Sequence, residues 1–126
     1  MIIIGHPWIK CNRFFKIFTI KGIAKSQADD IVLLEPLVDS HTTAAHCQEN
    51  AIPFAVVVNT LDDALFTNAL GAKYIICEED DALMIQPIAT EYLFDTRILV
   101  LIHSEKEISK IARGHVDGVI FAEAIC

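Results

Sequence analysis

Apolar residues along this chain gather in short unbroken runs, separated by segments in which apolar and polar positions recur at a helical period. Ile31-Val32-Leu33-Leu34, Phe54-Ala55-Val56-Val57-Val58 and Ile98-Leu99-Val100-Leu101-Ile102 are rich in β-branched residues and apolar on both faces. That is the pattern of strands covered on both sides, as in parallel sheets. Shorter runs at Tyr74-Ile75-Ile76-Cys77 and Gly118-Val119-Ile120-Phe121 read the same way. Phe14-Phe15-Lys16-Ile17-Phe18 is a weaker, more alternating candidate, and Met1–Ile4 is one further short run. The intervening segments, about Leu37–Asn50, Leu61–Leu70, Asp80–Tyr92 and Glu105–Arg113, predict helices. Strand and helix alternate throughout, so the expected class is α/β, with five to six mainly parallel strands in a single domain spanning residues 1–126.

Aligning the strand ends exposes an internal repeat. Val58-Asn59-Thr60-Leu61-Asp62-Asp63-Ala64 matches Ile102-His103-Ser104-Glu105-Lys106-Glu107-Ile108 at an offset of 44 residues, from Thr60 to Ser104. Each copy carries a capping-box pattern, Thr60 with Asp63 and Ser104 with Glu107. Each following helix stops at a glycine, Gly71 or Gly114, suited to a left-handed C′ position. A degraded copy precedes them, opened by Ile17-Phe18-Thr19 and closed by Glu35, with Gly22 in place of the capping acid. The chain therefore reads as about three βαβα units of roughly 40 to 45 residues. These are too few for a closed eight-stranded barrel of about 250 residues. Either an open, doubly wound sheet or a partial TIM-type barrel is expected. Pro87, inside the third main helical segment, is expected to kink or restart it, because it removes a backbone donor. Uncovered parallel edges lead to the expectation of a homodimer.

Composition narrows the class of function. Hydrophobic residues make up 53% of the chain and charged ones 21%, with mean hydropathy +0.44. A disordered chain is thereby excluded. No apolar run approaches the roughly 20 residues of a membrane helix. The net charge of −7 and a pI near 5.0 lack the basic footprint of a nucleic-acid binder. The start, Met1-Ile2-Ile3-Ile4-Gly5-His6-Pro7, shows no basic leader and long apolar region, so a cytoplasmic protein is expected. Cys11, Cys47, Cys77 and Cys126 form no C-x-x-C pair, and Cys47 and Cys77 read as inert core thiols.

Candidate chemistry is sought at the carboxyl ends of the strands, where parallel α/β folds place their ligands. That rim contains Glu35, Asn59, Glu78 with Glu79, His103 and Glu123. His103 is the candidate general acid/base, and Glu35, Asn59, Glu78 and Glu123 are candidate ligand-binding residues. The carboxylates also suit a divalent cation. The competing explanation for residues at strand ends is helix capping or a favourable place against the helix dipole, above all for Asn59, Glu79 and Asp80-Asp81. His41 and His46 lie five apart, off the i, i+4 spacing of a metal pair. His6 joins the rim if Met1–Ile4 is a strand. No G-x-G-x-x-G, G-x-x-x-x-G-K-[ST] or G-x-S-x-G motif occurs, so dinucleotide, P-loop and hydrolase-elbow readings lack support, and no cofactor is indicated.

Asn59-Thr60-Leu61-Asp62-Asp63-Ala64, Ala69-Leu70-Gly71-Ala72-Lys73-Tyr74-Ile75 and Val116-Asp117-Gly118-Val119-Ile120-Phe121-Ala122-Glu123-Ala124-Ile125 give residues 52–125 a further likeness. They resemble the later half of phosphate-binding (βα)8 barrels such as indole-glycerol-phosphate synthase and thiamine-phosphate synthase. The resemblance implies a barrel-type fold. It also implies a phosphate-holding turn after the last strand, yet Ala122 and Glu123 stand there, and a carboxylate repels phosphate. No lysine is expected at a strand end to form a Schiff base. The functional expectation is a small polar or metal-bound ligand at the strand ends. The alternative is a non-catalytic dimeric scaffold or interaction protein.

Overall fold

The computed structural model describes residues 1–126. Seven strands, β1 (Ile2–Ile4), β2 (Phe14–Lys16), β3 (Ile31–Leu34), β4 (Phe54–Val57), β5 (Tyr74–Cys77), β6 (Arg97–Ile102) and β7 (Gly118–Phe121), alternate with helices. The α-helices are α1 (Leu37–Glu49), α2 (Leu61–Ala69), α3 (Glu79–Glu91) and α4 (Ile108–Arg113). Short 3-10 segments cover Ile20–Lys25, Glu105–Glu107 and Ala122–Ala124. The strand count exceeds the expected five to six because Met1–Ile4 and the alternating run at Phe14 both pair.

All six pairings are parallel, in the order β1-β7-β6-β5-β4-β3-β2. From β2 to β7 each strand lies beside the next in sequence. Right-handed crossovers of one direction put every helix on the same face. This excludes the doubly wound arrangement, in which the winding reverses and helices cover both faces. The helix-covered face buries Val32, Leu34, Phe54, Val56, Ile75, Ile98, Val100 and Val119. The opposite face buries Phe14, Ile31, Leu33, Ala55, Ile76, Leu99 and Ile120 against one another. It can do so only by curling. The Phe14 and Tyr74 rings are 5.6 Å apart, although β2 and β5 are three strands apart, about 14 Å in a flat sheet. The sheet is thus a half-barrel with an apolar concave side. Beyond β7 the chain crosses to the outer edge of β2, where Cys126 N–H donates to Phe14 C=O at 2.9 Å and Lys16 N–H donates to Cys126 C=O at 3.1 Å. That pairing covers an edge otherwise open to another strand.

Local signals explain the starts of α2 and of the 3-10 turn at Glu105 and the end of α2. Thr60 Oγ1 accepts from Asp63 N–H at 3.1 Å. Glu107 accepts from Ser104 N–H at 3.1 Å, and Ser104 Oγ accepts from Lys106 N–H at 3.3 Å, completing a capping box. Thr19, whose partner position is Gly22, makes no such cap. Gly71 takes φ +84° after α2, whereas Gly114 has φ −80° and the left-handed step is made by His115 at φ 60°. One further expectation is corrected: the helix expected from Glu105 begins as a 3-10 turn that becomes α-helical only at Ile108. Of the two outcomes expected at Pro87, the restart does not occur, since α3 runs through it.

Candidate functional site

Alternation along each strand decides which rim residues face the concave side. Phe14, Ile31 and Leu33, Ala55, Ile76 and Leu99 point inward. Counting on by twos gives Lys16 on β2, Glu35 after β3, Asn59 after β4, Glu78 after β5 and His103 after β6. Four of these, Lys16, Glu35, Asn59 and Glu78, line one cavity of about 320 Å³ at the carboxyl ends of the strands, together with Asp81. Its floor is apolar, formed by Leu33, Val57, Ile76 and Leu101.

His103 does not line the cavity. The register that pairs Cys77 with Val100 sets Leu101, not His103, beside Glu78. His103 stands a further pair of residues along and is exposed, its backbone N–H donating to Glu107 at 3.0 Å. Glu123 lies outside as well, on the 3-10 turn Ala122–Ala124, exposed and off the inward parity. The five candidates therefore do not converge as a set: Glu35, Asn59 and Glu78 come together, and His103 and Glu123 stand apart. His6 is also separate, with Nδ1 accepting from Trp8 N–H at 3.2 Å and Nε2 facing Glu105 at 2.9 Å.

Two cavity residues were not foreseen. Lys16 ends β2 and pairs with Glu35, so a lysine does stand at a strand end. The apolar run continues to Phe18 and so conceals the strand's terminus at Lys16, although Lys16 shares the parity of Phe14. Asp81 reads in the sequence as a first-turn acid placed against the helix dipole. It is three residues after Glu78, and this spacing returns it to the same side of the first turn of α3. Glu79 turns away to Lys110, 3.2 Å off.

Glu78 precedes α3 but its side chain makes no capping bond, and the N-cap of α1 is Pro36 rather than Glu35. Capping thus does not account for either carboxylate. Lys16 is the cavity's only cation, and Glu35 already pairs with it. Glu78 and Asp81 have no basic partner within 4.0 Å. Their field reaches the neighbouring Cys77 thiol, whose pKa is pushed up to about 12, chiefly by burial and further by Asp81 and Glu78. No three His, Cys, Asp or Glu side chains converge as a metal-holding group. No helix is long and apolar enough to cross a membrane. Compared with models of known protein families and with curated proteins, the chain matches none.

Proposed function

We propose that the cavity at the strand ends binds a small organic cation, an ammonium or guanidinium group carried on an apolar body. The observation that carries this reading is charge balance within a cavity. Lys16 is spent on Glu35, and Glu78 and Asp81 remain uncompensated above an apolar floor. A cationic head would meet the two carboxylates, Asn59 would supply a neutral polar contact, and the body would cover Val57, Ile76 and Leu101. A phosphate ester would face repulsion from the same groups. His103 stands outside the lining, and no acid–base step is assigned to it.

The test is stabilisation by n-butylammonium, with butyrate as the opposite-charge control. Butylammonium should raise the melting temperature of the wild type, and butyrate should not. The double variant Glu78→Gln, Asp81→Asn should bind about tenfold more weakly, ~1.4 kcal/mol. Equal stabilisation by butyrate, or an unchanged response in the double variant, would contradict the proposal.

A second reading, an interface between copies of this chain, is supported by a groove of about 480 Å³ on the helical face, involving Leu37, Val38, Phe66 and Leu70. Val38 is 75% and Phe66 63% exposed. His41 and Asp63 line the same groove, and a two-fold axis can set each against the other's counterpart.

A further inference from the structure

The opposite end of the half-barrel has a different character. A cavity of about 280 Å³ lies at the amino ends of the strands, where β1 and the loop entering β2 meet the start of β5. Ile2, Ile4, Phe14, Ile31 and Tyr74 supply apolar walls, and Lys10, Asn12 and Lys73 supply the polar lining. No acidic side chain lines it, and neither lysine belongs to an ion pair. The acids at nearby strand starts are engaged elsewhere. Asp30 is held by Arg13, and Asp117 accepts from Ile98 N–H at 2.9 Å with Arg97 3.9 Å away. Lys73 Nζ lies 5.7 Å from the centroid of the Tyr74 ring, directly beside the apolar wall. In a chain of net charge −7, two uncompensated cations at the edge of an apolar cavity run against the average field.

We infer that this cavity is a second binding site, independent of the one at the carboxyl ends, for an amphipathic organic anion. The apolar body would occupy the space between Ile2, Phe14, Ile31 and Tyr74, and the anionic head would lie between Lys10 and Lys73, with Asn12 as a neutral donor. The two ends of one half-barrel would thus select ligands of opposite sign.

Cys11 also lines this cavity. It is exposed, as is Cys126, whereas Cys47 and Cys77 are buried. Alkylation by iodoacetamide, read at each cysteine by mass spectrometry, therefore reports the site directly, with Cys126 as an internal control. Octanoate should slow modification of Cys11, about tenfold at ten times its dissociation constant, and leave Cys126 unaffected. Octylammonium and inorganic phosphate at matched ionic strength should not protect Cys11. The double variant Lys10→Gln, Lys73→Gln removes two exposed positive charges and should lose the protection while keeping its melting temperature. The inference would be overturned by equal protection at both cysteines, by octylammonium or phosphate protecting as well as octanoate, or by protection surviving in the double variant. Because Cys11 lines the amino-end cavity and Glu78 and Asp81 line the other, with no lining residue shared, failure here leaves the carboxyl-end proposal standing, and the reverse holds too.

Discussion

Asp30 shows how one side chain couples the fold to pH. Arg13 Nε donates to its Oδ1 at 3.1 Å and Gln27 N–H to its Oδ2 at 2.8 Å. The Arg13 hydrogen bonds hold the Asp30 carboxyl below the usual carboxylate range, burial opposes this, and the Gln27 amide adds to the lowering. A carboxyl whose folded pKa is lowered contributes stability that is complete above its unfolded pKa and is lost as pH falls through the folded one. Asp30→Asn should therefore lower the melting temperature at pH 7, and its distance from wild type should shrink steadily below about pH 4. A difference of the same size at pH 7 and pH 2 would show that charge plays no part. At this scale the residue types of the carboxyl-end site were legible. Glu35, Asn59 and Glu78 follow from strand ends alone. Lys16 did not, because a three-residue strand flanked by Ile17 and Phe18 gives no internal mark of where pairing stops.

Among the elements, β1 packs on β7 at a position with no room for a side chain. Gly118 faces Ile2 across the parallel pairing, and a Cβ built there would stand 2.4 Å from the Ile2 carbonyl oxygen and 2.9 Å from Leu99 Cδ2. Only a glycine lets β1 approach β7 so closely. Gly118→Ala should cost about 1–3 kcal/mol by overpacking, seen as a lower urea midpoint, with amide protection lost at Ile2, which donates to Asp117 C=O, and at Ile4 before the rest of the sheet. A midpoint equal to wild type would mean that β1 shifts at no cost. Helix bounds were legible to within a residue, except that α4 begins at Ile108 rather than Glu105. Thr60 and Ser104 announce themselves because a hydroxyl beside a first-turn amide is a local interaction. α4 ends at Arg113 as expected, but the left-handed residue after it is His115 rather than Gly114, and histidine tolerates that conformation better than most residues with a side chain.

For the molecule as a whole, curvature is the decisive property. It converts one face of a parallel sheet into an apolar interior and separates two cavities of opposite charge at its ends. It also leaves the helical face outward, where Val38 and Phe66 lie exposed. If copies of the chain pair through that face, light scattering should give twice the 14.0 kDa chain mass, and Phe66→Glu should return it to a single-chain mass without lowering the melting temperature of the fold. A wild-type protein already at 14.0 kDa at micromolar concentration would exclude this pairing. Amino-acid order alone determined the α/β class, the apolar strand cores and the caps at Thr60 and Ser104. These depend on period and on contacts within a few residues. The tertiary structure decided the curl in place of a doubly wound sheet, the partnership of Lys16 with Glu35, and the exclusion of His103 from the cavity. Each of those depends on strand order and register, which relate residues tens of positions apart and leave no local trace in the chain.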